Sequence, residues 1–75
     1  MLNMAIVGCG YWGPNLVRNF DALPDCRVKT VCDADPGRLS QMKSLYSHVE
    51  TTTDIGEVVR DAGVDAVAIA TPVRF

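Results

Sequence analysis

The sequence predicts an α/β fold in which four parallel strands and three helices form part of a doubly wound sheet. Two observations lead to this prediction. An apolar segment ends in the glycine pattern Gly8-x-Gly10-x-x-Gly13 and is followed by apolar residues at helical spacing. Strand-like and amphipathic segments then alternate until a continuous apolar run over residues 64–70. With right-handed crossovers, the expected strand order is 3-2-1-4.

The first strand is predicted over residues 2–7, directly before the glycine turn. In a strand-turn-helix context, Gly8 permits the tight turn, Gly10 leaves room for a pyrophosphate and Gly13 lets the helix approach the strand. The first amides of that helix lack partners within it and are available to phosphate. The spacing alone also fits a tight turn without a ligand, so the context carries the prediction of a dinucleotide site.

The first helix is predicted from about Tyr11 to Ala22, with Pro14 in the first turn, where its missing N–H is tolerated. Four apolar side chains share one face of it: Leu16, Val17, Phe20 and Leu23. Tyr11 and Trp12 lie at the mouth of the glycine turn. Two interpretations of Trp12 remain open, packing in the core and lining the cofactor site.

An acidic residue is expected at the end of the second strand, where it binds ribose hydroxyls. The alternating segment over residues 27–32 ends in Asp33, 20 positions after Gly13. The competing carboxylate is Asp35, but its place directly before Pro36 is typical of a helix N-cap. We therefore assign Asp33 to the ribose and Asp35 to capping. An ordinary turn residue is the alternative for Asp33.

Asp33 also predicts NAD rather than NADP as the cofactor. A carboxylate beside the 2′-phosphate of NADP would be repelled by up to about 4 kcal/mol at 4 Å and an effective dielectric constant near 20. Arg38, in the first turn of the next helix, weakens this argument because a guanidinium can bind a phosphate. It can equally lie over the adenine ring or stay solvated.

A second helix and a short third strand are expected next. The helix is predicted from Pro36 to about Tyr46, with its apolar residues at Leu39, Met42, Leu45 and Tyr46. The strand is predicted around residues 49–52.

The last two elements are marked more clearly. Asp54 and Glu57 have the spacing of a capping box and predict a helix from Ile55 to about Ala62, with Gly63 as its C-terminal cap. The apolar run over residues 64–70 predicts a strand that is covered on both faces.

Composition narrows the classes of function. The 75 residues allow one small domain with 48% hydrophobic residues and a net charge of −2. The seven basic residues are scattered, so no nucleic acid partner is expected. Apolar runs of about six residues are too short to cross a membrane. No signal peptide is recognised at the N-terminus, and a cytoplasmic location is the default expectation.

The cysteines and the histidine predict no metal site. Cys9, Cys26 and Cys32 show neither zinc-like nor C-x-x-C spacing and are expected to be reduced thiols. Cys9 lies in the glycine turn, where a redox role is the alternative to filling a small space. His48 is a lone histidine in a polar stretch and is expected at the surface.

Three segments together resemble the N-terminal part of the glucose-fructose oxidoreductase and inositol dehydrogenase (Gfo/Idh/MocA) family: residues 8–16, Asp33 and residues 70–72. The resemblance covers the whole chain and about the first fifth of a typical member. It implies that residues 1–75 are the N-terminal portion of an NAD(P)-binding Rossmann domain, without its second half and without the substrate domain. The implied cofactor residues are Gly8, Gly10, Tyr11, Trp12 and Gly13 at the pyrophosphate, Asp33 and Arg38 at the adenosine, and Thr71 and Pro72 near the nicotinamide-side ribose. A simple strand terminator is the alternative for Thr71 and Pro72.

The resemblance also implies an activity. Family members oxidise or reduce hydroxyl groups of sugars, nucleotide sugars or inositols, with a catalytic lysine after the fifth strand. Lys29 and Lys43 match no such motif, so no catalytic residue is assigned and the chain alone is not expected to turn over. The intact protein is expected to be a homo-oligomer acting on a sugar-like small molecule.

Two other classes of function remain, a non-catalytic nucleotide-binding half-domain and a self-associating structural fragment. The second is relevant because the strand over residues 66–70 would present an apolar edge. Such an edge is expected to recruit another chain.

Overall fold

The computed structural model describes residues 1–8 and 13–70. Its elements are β1 (Leu2–Val7), α1 (Gly13–Asp21), β2 (Cys26–Cys32), α2 (Pro36–Leu45), β3 (Glu50–Thr52), α3 (Ile55–Arg60) and β4 (Ala66–Ile69). The strands form one parallel sheet in the order β3-β2-β1-β4, which confirms the predicted topology. The predicted helix N-cap is also confirmed, because Asp35 precedes Pro36 in extended backbone and its carboxylate accepts the Gly37 N–H.

The third helix is shorter than the sequence predicts. It ends at Arg60, and Asp61 is its C-cap with a φ of −77°. The prediction that Gly63 is the C-terminal cap is wrong, because Asp61 is the cap and Gly8 is the only positive-φ glycine among residues 1–8 and 13–70. The Gly63 N–H instead donates to Asp61 Oδ1 at 2.8 Å. The Asp61 side chain therefore stabilises the turn that follows α3.

The start of α3 uses a variant of the predicted capping box. Asp54 is the N-cap, and its carboxylate accepts the Gly56 N–H at 2.8 Å. The Glu57 carboxylate does not return to the Asp54 N–H but accepts from the Thr52 hydroxyl at 2.7 Å. The same Thr52 oxygen accepts the Asp54 N–H at 3.1 Å. Thr52 thus connects the end of β3 to the first turn of α3.

Two apolar clusters pack on opposite faces of the sheet. The larger cluster joins the sheet to α1 and α2 and comprises Ile6, Val17, Val28, Val31, Leu39, Met42 and Val49. The smaller one joins the sheet to α3 and comprises Ala5, Cys32 and Val58. The expectation that β4 is covered on both faces does not hold within the described residues, because Val67 is 47% exposed and Ile69 is 71% exposed.

A β-bulge interrupts the pairing of β1 with β2. Met4 pairs with Val28 and Ala5 with Thr30, so Lys29 is the additional residue. The Lys29 ammonium lies 2.5 Å from Asp61 Oδ2 at the end of α3, and each side chain is 29% exposed. This ion pair ties the C-terminal end of α3 to the second strand.

Candidate functional site

Three strands end side by side at the carboxyl edge of the sheet. The Gly8 N–H donates to the Cys32 carbonyl at 2.7 Å, and the Ala70 N–H donates to the Val7 carbonyl at 2.8 Å. The chain order reverses here, because β2 and β3 lie on one side of β1 and β4 lies on the other. In open α/β sheets, ligands bind in the crevice beyond the strand ends at such a switch point.

The glycine turn begins with a backbone conformation that favours glycine. Gly8 follows β1 and has a φ of 80°, in the left-handed region that side-chain-bearing residues rarely adopt. The next described residue, Gly13, is the first residue of α1. The structure therefore places a strand before the turn and a helix after it, as a phosphate-binding turn requires.

Asp33 is the first residue after β2 and is fixed by hydrogen bonds on two sides. Its N–H donates to the Thr52 carbonyl at 3.2 Å, which continues the pairing of β2 with β3. Its Oδ1 accepts the Asp35 N–H at 2.8 Å, which forms an Asx turn. The carboxylate is thus held at the carboxyl edge of the sheet, and a carboxylate accepts the hydrogen bonds that ribose hydroxyls donate.

Asp35 and Arg38 lie just beyond Asp33, at the start of α2. Asp35 Oδ1 accepts the Gly37 N–H at 2.9 Å, and its Oδ2 lies 3.5 Å from Arg38 Nε. Both side chains are about half exposed, so this ion pair contributes at most about 1 kcal/mol. Asp35 is thus engaged as a helix cap, and the Arg38 guanidinium is held only weakly at the rim of the site.

The end of β2 carries negative charge. Burial raises the pKa of the Cys32 thiol, and the charges of Asp33, Asp54 and Glu57 raise it further. The thiol therefore stays protonated at neutral pH and is a poor nucleophile.

Other predicted site residues fall outside the described part of the chain. These are Gly10, Tyr11 and Trp12 in the glycine turn and Thr71 and Pro72 after β4. The described residues nearest to them are Gly8 and Gly13 on either side of the glycine turn, and Ala70, whose N–H donates to the Val7 carbonyl.

The predictions about thiols and metals concern other positions. Cys26 and Cys32 are free and buried, whereas Cys9 lies outside the described residues. Within residues 1–8 and 13–70 there is no group of three or more His, Cys, Asp or Glu that could hold a metal ion. The helices in that part of the chain are also too short or too polar to cross a membrane.

The loop between α2 and β3 contacts both ends of α1, which the sequence did not indicate. The Tyr46 hydroxyl donates to the Pro14 carbonyl at 3.0 Å, in the first turn of α1. His48 Nε2 lies 2.7 Å from Asp21 Oδ2, and Asp21 Oδ1 accepts the Val28 N–H at 2.7 Å. His48 is at the surface as predicted, but it is paired. Helical spacing assigned Tyr46 only to the apolar face of α2, and no local pattern indicates the partner of its hydroxyl.

Comparison with known proteins agrees with this geometry. The family model described as "Oxidoreductase family, NAD-binding Rossmann fold" matches residues 2–75. The chain is 29% identical over 73 residues to D-apiose dehydrogenase of Rhizobium rhizogenes and 33% identical over 70 residues to inositol 2-dehydrogenase 2 of Saccharopolyspora erythraea. These alignments cover 97% and 92% of this chain but 21% of each relative. The chain thus spans about a fifth of the length of these relatives.

A solved structure gives the same picture. An oxidoreductase from Agrobacterium radiobacter, crystallised with NAD+, L-tartaric acid and magnesium, superposes with a TM-score of 0.87 at 29% identity. The superposition covers 96% of this chain and 21% of that one.

Proposed function

This chain belongs to the Gfo/Idh/MocA family of oxidoreductases, and we propose that it forms the adenosine-binding part of an NAD site in a dehydrogenase acting on hydroxyl groups. The proposed substrate is a sugar, a nucleotide sugar or an inositol. The compounds in the names of two relatives, D-apiose and inositol, belong to this class. NAD, when bound, supplies the hydride acceptor. The catalytic residues are proposed to belong to the part of the relatives' length that this chain does not span.

The observation that carries the proposal is the hydrogen bond from Gly8 to the carbonyl of Cys32, the residue before Asp33. It brings the glycine turn and the fixed carboxylate to adjacent strand ends. In the Rossmann arrangement, the pyrophosphate lies at the turn after the first strand and the adenosine ribose lies at the end of the second strand. The described residues therefore fit the adenosine half of NAD.

Each remaining residue has a proposed role. Gly10, Tyr11, Trp12 and Gly13 would surround the pyrophosphate together with Gly8, Arg38 would lie at the adenosine, and Thr71 and Pro72 would lie near the second ribose. Asp33 would accept hydrogen bonds from the adenosine ribose. NAD is proposed over NADP because the Asp33 carboxylate, held at the end of β2, would repel the 2′-phosphate of NADP.

The first experiment is isothermal titration of the 75-residue chain with NAD, ADP and NADP. NAD and ADP should bind with similar affinity and NADP more weakly. Asp33→Ala should weaken NAD by about tenfold to a hundredfold, which corresponds to a charge-assisted hydrogen bond of about 1.5–3 kcal/mol. Asp33→Asn keeps an oxygen for the Asp35 N–H. It should therefore isolate the charge and narrow the difference between NAD and NADP.

Asp25→Ala is the matched control, because it removes the same charge from the turn before β2, at the opposite end of the sheet. Its affinity for NAD should equal that of the wild type. A folded chain that binds none of the three nucleotides, or one in which Asp25→Ala weakens NAD as much as Asp33→Ala, would contradict the proposal.

We also propose that the 75-residue chain self-associates along β4. Among the described strands, β4 pairs with β1 alone, and its Val67 and Ile69 are exposed. An apolar strand with an open edge pairs readily with a second chain.

We also propose a cytoplasmic location. The free thiols of Cys26 and Cys32 are compatible with such a reducing compartment.

A further inference from the structure

We propose that Tyr46 is a positioning residue for the cofactor. Its hydroxyl holds the first turn of α1, and with it the amides that would receive the pyrophosphate. The inference rests on the proposed nucleotide site and adds to it a residue far away in the sequence. Tyr46 and Pro14 are separated by 32 positions and joined by one hydrogen bond of 3.0 Å.

The backbone at Tyr46 leaves α2 in a way that directs the side chain toward α1. Tyr46 is the C-cap of α2, with φ of −132° and ψ of 80°, and its N–H still donates to the Met42 carbonyl at 2.8 Å. Its ring packs against the larger apolar cluster, which includes Val17 of α1. The ring is therefore fixed by packing, and the hydroxyl is delivered to one acceptor.

Within residues 1–8 and 13–70, the first turn of α1 has few other contacts that hold it. Gly13 has no side chain, Pro14 has no N–H, and Asn15 is exposed. Apolar anchoring of the helix begins later, with Leu16 and the fully buried Val17. A hydrogen bond to the Pro14 carbonyl therefore restrains the part of α1 that packing leaves free.

This restraint matters for phosphate binding because the N-terminal amides of a helix act as a group. Their N–H vectors and the positive end of the helix dipole must point at the same anion. A first turn that is already fixed loses less conformational freedom when the ligand binds. The Tyr46 hydroxyl should therefore favour ligands that carry the pyrophosphate and leave binding of the bare nucleoside unchanged.

A second contact between the α2–β3 loop and α1 provides the control. His48 contacts Asp21 at the other end of α1, and its ring stands edge-on to that of Tyr46 with centroids 6.5 Å apart. Removing the His48–Asp21 contact affects the same helix and the same loop, but at the end of α1 that is far from the glycine turn. Its loss should lower thermal stability without changing affinity for phosphate-bearing ligands.

The test compares wild type, Tyr46→Phe and His48→Gln by titration with ADP and with adenosine, after circular dichroism has shown that each is folded. Tyr46→Phe should weaken ADP by about threefold to tenfold, as expected for one hydrogen bond. Its affinity for adenosine should be unchanged. His48→Gln should bind both ligands like the wild type.

Three results would overturn the inference: equal ADP affinity in Tyr46→Phe and wild type, a parallel loss of ADP and adenosine, or an equal loss of ADP in His48→Gln. These results differ from the result expected if the proposed function is wrong. If it is wrong, the wild-type chain itself binds neither ADP nor NAD, and Tyr46 has no cofactor to position.

Discussion

The two faces of the sheet are held to their helices by different means. On the face covered by α1 and α2, Ile6, Val28 and Val31 have no solvent exposure. On the face of α3, the buried apolar residues are Val58, Ala5 and Cys32, with the partly buried Val7 and Val64 packed against them. Polar links connect α3 to the sheet in addition, namely the Lys29–Asp61 ion pair and the bond from Thr52 to Glu57.

The difference follows from the number and the lengths of the described helices. Two helices cover one face, α2 with ten residues and α1 with nine, whereas α3 on the other face has six. Four large apolar side chains remain exposed on α3 and β4: Ile55, Val59, Val67 and Ile69. We therefore expect the face packed against α1 and α2 to contribute most of the free energy of unfolding. We expect the exposed apolar side chains of α3 and β4 to mediate association. The carboxyl edge of the sheet, where Gly8 and Asp33 lie, borders both faces.

The largest expected effect tests this division with one substitution on each face. Ile6 and Ile69 lie on neighbouring strands, one fully buried in the larger cluster and the other 71% exposed on the α3 face. Ile6→Ala should lower the free energy of unfolding by about 2–5 kcal/mol, since it removes buried methylenes and leaves a cavity. Ile69→Ala should change it by less than about 0.5 kcal/mol. Urea denaturation of dilute protein measures both.

A small change in Ile6→Ala or a large one in Ile69→Ala would mean that the faces do not differ as described. The first result would indicate that the α1 and α2 face repacks around the gap. The second would indicate that β4 is covered in solution even at low concentration.

The next effect concerns association. Val67→Lys places a charge on the exposed face of β4 and should weaken self-association by at least about tenfold in sedimentation equilibrium, because a charge on an edge strand opposes pairing. Thr51→Lys introduces the same charge on β3, the opposite edge strand, and should leave the association constant unchanged. A wild-type chain that is monomeric at every concentration contradicts the proposed association. An equal effect of Thr51→Lys would instead assign it to β3.

Sequence predicted those features that depend on neighbours in the chain. The strand order followed from alternating segments and right-handed crossovers, and the caps at Asp35 and Asp54 followed from an aspartate before a helix start. At the candidate site, the strand end at Gly8 and the strand end at Asp33 were predicted for the same reason. Adjacent parallel strands place their carboxyl ends together once the order is known.

Features that depend on distant residues were not predictable in this way. Gly63 is an example, because its local pattern indicates a helix cap, whereas a Cβ there would lie 2.8 Å from Lys29 Nζ. The glycine leaves space for an ion pair between residues 32 positions apart. Tyr46 and Pro14 are a second example, and the exposed face of β4 is a third. An apolar run indicates that a strand can be covered on both faces. It does not indicate whether a helix is long enough to cover each face.

The smallest expected effect is the pH dependence of the link between α3 and the sheet. The Lys29 ammonium and the Gly63 N–H hold the pKa of Asp61 below its ordinary value of 3.8, and Asp61 holds the pKa of Lys29 above 10.5. The carboxylate's contribution to stability is therefore complete above about pH 4 and is lost as the pH falls through its lowered pKa. The ammonium's contribution is complete up to 10.5 and is lost as the pH rises through its raised pKa.

Asp61→Asn should consequently be less stable than the wild type at neutral pH, with a gap in the free energy of unfolding that closes as the pH falls through the lowered pKa of Asp61. Asp25→Asn, which changes an exposed carboxylate at the same end of the sheet, serves as the control and should leave the free energy of unfolding at neutral pH within about 0.5 kcal/mol of the wild type. A gap for Asp61→Asn that stays constant into acid would mean that the ion pair does not hold α3. The α3 face would then depend on the small apolar cluster around Val58, and the two faces would differ in apolar area only.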